Sequence, residues 1–179
     1  CLPGLFAPVT LHPNCRLCLV GMWNNELERS DCTNCSAGLY EEAEGQRNCT
    51  KCSSGMYGLA VGSSVRICIQ CDLGRFQDLR GQAVCQLCGV GQHQGSKEQS
   101  SCSLCDSGKF QAYREQSSCT ACDLGRSNGE AGQSDCTDCA VGKFMGERDA
   151  TQCHKCREGL YAPVQAMSTC KGCELGRYQ

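Results

Sequence analysis

Twenty-one of the 179 residues are cysteine, about 12%, and Leu, Ile, Val and Phe together number only 29, too few to bury one large core against the cost of ordering the chain. A net charge of −2 and an isoelectric point near 5.9 argue against the basic face of a nucleic-acid binder and against a polybasic membrane patch. No run approaches the ~18 apolar residues of a membrane span, so cross-links are expected to supply the order that a core does not.

Reading from the first residue, one unit recurs. It begins at each of Cys1, Cys18, Cys35, Cys52, Cys71, Cys88, Cys105, Cys122, Cys139, Cys156 and Cys173. The repeats are residues 1–17, 18–34, 35–51, 52–70, 71–87, 88–104, 105–121, 122–138, 139–155 and 156–172, with 173–179 opening an eleventh. The step is 17 residues throughout, except that repeat 52–70 carries two more, expected in its loop. The chain starts at Cys1 without a charged-then-apolar leader and stops part-way through the unit, so it is expected to be an excerpt of a longer polypeptide.

Numbering each repeat from its first cysteine, position 4 is glycine in all eleven, from Gly4 to Gly176. Such a residue implies a backbone with positive φ or a close approach that no Cβ survives. Position 6 is Phe6, Trp23, Tyr40, Tyr57, Phe76, Phe110, Phe144, Tyr161 or Tyr178, replaced by His93 and Ser127 in two repeats; only Tyr113 among the aromatics lies elsewhere. This ring is the largest apolar surface of the unit and is expected to cover a disulfide or the next unit's ring. A second glycine in several loops (Gly45, Gly62, Gly81, Gly132) fits a tight reversal. No stretch sustains a 3.6-residue period. The predicted fold class is small and disulfide-rich: tandem 17-residue repeats of short β segments and loops, an elongated rod without a single core and with little or no helix.

Ten C-x2-C knuckles plus Cys1 account for every cysteine, and three bonding schemes are open. Each repeat can close on itself as Cys1–Cys15, Cys18–Cys32, Cys35–Cys49, Cys52–Cys68, Cys71–Cys85, Cys88–Cys102, Cys105–Cys119, Cys122–Cys136, Cys139–Cys153 and Cys156–Cys170, leaving Cys173 unpaired by the break. Knuckles taken in fours can bind zinc, which would generate a 34-residue period with alternate units different and would orphan Cys1. Each knuckle can close as a redox pair, which also orphans Cys1 and lacks the surrounding βαβ pattern. The uniform 17-residue period favours the first scheme, although spacing alone does not fix connectivity.

The segment C-x2-G-x-[FY]-x8-C-x2-C, as it runs from Cys35 through Gly38 and Tyr40 to Cys49 and Cys52, resembles the ephrin-receptor-like cysteine-rich repeat. It is also similar to the first module of tumour-necrosis-factor-receptor cysteine-rich domains. The resemblance covers essentially the whole chain. It implies an extracellular or cell-surface setting, an elongated disulfide-stapled stalk, and disulfides that close within each unit. Receptor ectodomains of these kinds mix several modules, whereas here one short unit repeats.

Nothing in the sequence points to catalysis. His12, His93 and His154 have no free thiol to pair with under the first scheme, and no G-x-S-x-G, H-E-x-x-H, Walker or calcium-loop spacing occurs. No RGD tripeptide occurs either. No enzyme activity, metal or cofactor is expected. Two N-glycosylation sequons are present, at Asn34 and Asn48, each with cysteine in the middle. An acid at position 2 and a base at position 5 recur in Asp72/Arg75, Asp106/Lys109, Asp123/Arg126 and Glu174/Arg177. These read either as solvated pairs worth little or as a zipper between units or chains. The expected function is structural: a secreted repeat protein forming or decorating an extracellular filament, appendage or matrix fibre. Its expected partners are further copies of itself or other extracellular proteins, with no nucleic acid and no membrane span. The alternatives are the stalk or ligand-binding ectodomain of a cell-surface receptor and, third, a zinc-binding intracellular protein.

Overall fold

The computed structural model describes residues 1–8, 14–59 and 68–174. Each complete repeat is one tight hairpin. In the first, the Leu5 N–H donates to the Leu2 carbonyl at 3.0 Å, closing a turn on Gly4 (φ +89°). Strand Leu5–Phe6 then pairs antiparallel with Arg16–Leu17, in the register Leu5 to Leu17 and Phe6 to Arg16. The pattern gives ten two-stranded sheets of two-residue strands, and the described residues contain no helix. The two extra residues of repeat 52–70 fall between Tyr57 and Ile69, because Met56 pairs with Gln70 and Tyr57 with Ile69. Residues 60–67 of that loop, with Gly62 among them, lie outside the described residues.

A two-residue ladder has no stability by itself, since even full-length hairpins are marginal in water. The surroundings hold it. Two compact units form, Cys1–Gln86 with Ser96–Ser101 and Leu87–Gly95 with Cys102–Gln179. In the first unit, repeat one binds repeat two through four backbone bonds: Gly4 N–H to Asn24 O at 2.7 Å, Ala7 N–H to Arg29 O at 3.0 Å, Cys18 N–H to Gly4 O at 2.9 Å and Glu28 N–H to Cys1 O at 3.0 Å. In the second unit the same four positions bind repeat 105–121 to repeat 122–138. They are Gly108 N–H to Asn128 O (2.6 Å), Gln111 N–H to Gln133 O (3.1 Å), Cys122 N–H to Gly108 O (2.8 Å) and Gly132 N–H to Cys105 O (2.8 Å). These four bonds satisfy loop backbone groups that would otherwise need water, and none of the four uses a side chain.

Contact also reaches the second neighbour. A Cβ built on Gly4 would lie 2.9 Å from the carbonyl carbon of Gly45, and one on Gly108 would lie 2.8 Å from that of Asp149. All ten described position-4 glycines have φ between +71° and +89°. The turn therefore needs glycine for its backbone angle and, at these sites, again for space.

The centre of each unit is sulfur. Cys18, Cys35, Cys52, Cys71, Cys88, Cys105, Cys122 and Cys139 are 0–1% exposed. The position-6 rings, expected to be the main apolar mass, are all only half-buried among the described residues. They flank the sulfur core and do not form one. Tyr178 lies outside the described residues. The residues that accompany the cysteines into the interior come instead from position 7: Asn24, Gln77, Gln111, Asn128, Met145 and Ala162 are at most 7% exposed.

Candidate functional site

Ten disulfides staple the hairpins. Cys1–Cys15, Cys18–Cys32, Cys35–Cys49, Cys71–Cys85, Cys88–Cys102, Cys105–Cys119, Cys122–Cys136, Cys139–Cys153 and Cys156–Cys170 each close a separation of 14 residues, and Cys52–Cys68 closes 16. Cα–Cα distances run from 5.5 to 5.8 Å. Each knuckle sends its two sulfurs into different repeats. Cys173 is free and half-buried. A loop of this length closed by a disulfide gains roughly 3 kcal/mol on the loop-entropy view, so every repeat carries its own staple and none depends on a distant one.

Position 6 of one repeat lies over the staple of the next. His93 Nδ1 is 3.2 Å from Cys119 Sγ, and Ser127 Oγ is 3.3 Å from Cys153 Sγ. Both contacts span 26 residues, and both occur at positions where the other repeats carry a ring. His93, Cys105 and Cys119 bring three ligand-type atoms within 4.8 Å of one another. The two sulfurs are bonded to each other, so the thiolates that a soft metal would take are absent. His154 is exposed, its ring 6.1 Å from that of Phe144. His12 lies outside the described residues.

Position 7 is a functional column that the sequence reading passed over. Asn24 donates from Nδ2 to the Leu5 carbonyl at 2.8 Å, in the strand of the preceding repeat, and accepts from Glu26 N–H at 2.9 Å. Asn128 repeats this on Lys109 and Glu130, at 2.8 and 3.1 Å. Gln77 and Gln111 are one methylene longer and turn inward, donating to Val84 O at 2.6 Å and Ser118 O at 2.8 Å in their own loops. A buried amide is tolerated here because both its ends are satisfied. The signal was present, since position 7 is Asn or Gln in Asn24, Gln77, Gln94, Gln111 and Asn128, but it is weaker than an unvarying glycine.

A family model described as "Tyrosine-protein kinase ephrin type A/B receptor-like" matches residues 25–67 and 58–101. Over those residues the repeats are similar to ephrin-receptor-like cysteine-rich repeats. The tumour-necrosis-factor-receptor module is not part of that match. No curated protein matches the chain. The staple and hairpin of the ephrin-receptor-like repeats continue unchanged past residue 101, through Cys156–Cys170. Ten disulfides and this kind of repeat suit an extracellular or cell-surface setting.

Charges bridge one repeat to the next. Asp72 at position 2 pairs with Lys97 of the following repeat at 2.8 Å, and Asp123 with Arg148 at 3.3 Å. The hydrogen bond from Lys97, and then its charge, lower the Asp72 carboxyl and raise Lys97. Arg126 at position 5 instead binds acids of its own hairpin, Asp138 at 2.7 Å and Asp135 at 3.2 Å, and donates to the Cys136 carbonyl. Hydrogen bonding from Arg126 lowers Asp135. Asp72 and Asp123 thus bridge to the next repeat through Lys97 and Arg148 and not through the position-5 bases, and these exposed pairs are slight in energy because their partners are solvated. Arg177 lies outside the described residues. Asn34 and Asn48 are both exposed, and the cysteines inside their sequons, Cys35 and Cys49, are bonded to each other.

Proposed function

We propose that the chain is a structural, secreted repeat array that forms or decorates an extracellular filament, appendage or matrix fibre, without enzymatic activity. The observation that carries this reading is the identity of the joint. The same four backbone bonds join repeat one to repeat two in the first unit and residues 105–121 to 122–138 in the second. A joint made of main chain tolerates wide side-chain variation and can be extended one repeat at a time, which suits a scaffold more than a recognition module. Asn34 and Asn48, both exposed and each directly before one cysteine of the Cys35–Cys49 staple, are the positions at which such a scaffold would carry sugar. Its partners on this reading are further copies of the chain or other extracellular proteins.

The second reading is the stalk or ligand-binding ectodomain of a cell-surface receptor, favoured by the receptor-like description of the matching family model. Electron microscopy of native material under non-reducing conditions, before and after a thiol reductant, separates the two. Filaments that fall apart on reduction support the structural reading. Discrete, monodisperse particles that never polymerise contradict it and favour the receptor stalk.

A further inference from the structure

At position 6 two repeats differ in chemistry from the rest, beside the staple of the next repeat. His93 holds an imidazole nitrogen 3.2 Å from Cys119 Sγ, with the Cys105 sulfur inside the same 4.8 Å cluster. A small pocket opens onto the staple, lined by His93, Asp106, Lys109, Ser117, Ser118 and Cys119. Cys119 is half-buried, while Cys105 is 0% exposed. An approaching reagent therefore meets the Cys119 sulfur first and the imidazole beside it.

We propose that the Cys105–Cys119 disulfide is the thiol-exchange site of this chain, taking a small-molecule thiolate such as glutathione as its substrate. The thiolate attacks Cys119 Sγ, the Cys105–Cys119 bond breaks, and its electron pair leaves on Cys105 Sγ. A mixed disulfide forms on Cys119, so one disulfide is consumed, one is made, and no further oxidant or reductant is needed. The His93 imidazole, 3.2 Å from Cys119 Sγ and within 4.8 Å of Cys105 Sγ, can give a proton to the departing Cys105 sulfur. Proton transfer to the leaving sulfur offsets the charge that builds on it, and a better leaving group speeds exchange. The other charged groups facing this pocket are Asp106 and Lys109, and Lys109 in turn lies 3.9 Å from Asp149. The proposal stands on this one staple and holds whether or not the chain assembles into filaments.

The chain carries its own control. Ser127 also replaces a ring above a half-buried staple cysteine, Cys153, but brings no charge. The difference between the two staples isolates the imidazole from the mere loss of a cover. The test uses the full chain with limiting glutathione, acid quenching, alkylation and mass spectrometry of each cysteine-containing peptide. Cys1–Cys15 is left out because Cys15 is exposed. The expected result is a glutathione adduct on Cys119 forming about tenfold faster than one on Cys153. That advantage should vanish both in His93→Phe, which restores the ring, and in His93→Gln, which keeps a polar group that cannot hand over a proton. Equal rates at the two staples in the unsubstituted chain would overturn the proposal, as would an advantage that survives both substitutions.

Discussion

Among the described residues, the turn after the first cysteine of a repeat and the reversal at position 11 of its loop both hold a left-handed residue, and they treat it differently. At position 4 the residue is always glycine. At position 11 it is Gly45, Gly81 and Gly132, with φ from +72° to +78°, but also Glu28, Glu98, Glu115, Asp149 and Ala166, with φ from +57° to +62°. Backbone angle alone cannot account for the contrast, since both sites share it. The neighbours do. At Gly4, Gly38, Gly55, Gly91, Gly108 and Gly125 a Cβ at position 4 would run into the main chain of a repeat two steps on; at Gly38 it would lie 2.5 Å from the Gly81 carbonyl carbon. A Cβ at position 11 meets the movable ends of side chains, Lys51 Cγ at 3.2 Å from Gly81 and Leu104 Cδ2 at 3.1 Å from Gly132. Backbone cannot step aside and a lysine or leucine tip can, so one site is closed to substitution and the other merely disfavours it.

Four substitutions sharpen this contrast. Gly108→Ala forces both a strained angle and an overlap with the Asp149 backbone. It should cost about 2–5 kcal/mol and release the amide protection of Gly108 and Cys122 in hydrogen exchange. Asn128→Ala leaves the Lys109 carbonyl and the Glu130 amide without their side-chain partner. It should cost about 1–3 kcal/mol, read as a lower denaturation midpoint under non-reducing conditions. Gly142→Ala meets the same positive φ but nothing within 4 Å, so its cost should stop at about 1–2 kcal/mol. A cost equal to that of Gly108→Ala would break the account of position 4. Ala166→Gly relieves a φ of +58° and should stabilise by about 0.5–1 kcal/mol, the angular gain being partly offset by the freer unfolded chain. A loss of stability there would show that position 11 is held by more than its backbone angle.

Much of this was legible before any coordinates. An unvarying glycine three residues after a cysteine announced a positive φ or a close approach, and the turns at Gly4 and Gly108 use both. Short strands without helix followed from the absence of a helical period together with glycines at fixed offsets. What stayed hidden has two causes: some of it depends on contacts between repeats, as at Asn24, and some on angles and bonds that different residue types meet in different ways. The requirement at position 11 was visible only where glycine met it, at Gly45, Gly81 and Gly132, because Glu115 and Ala166 satisfy the same angle without advertising it. The buried amides of position 7 were hidden because Asn24 and Gln77 bond in different directions from the same column. The side chains that are fully buried are the first staple cysteines from Cys18 to Cys139, while the position-6 rings stay half-buried.

The central claim is that each 17-residue loop is closed by its own staple and stacked on the next through main chain. Proteolysis of the native chain without reductant, followed by mass spectrometry of the linked peptides, tests it most directly. The account predicts the repeat-internal links, Cys18–Cys32 through Cys156–Cys170, with no bond inside a C-x2-C knuckle. Bonds within knuckles such as Cys32–Cys35, or zinc held stoichiometrically by unbonded cysteines, would contradict it.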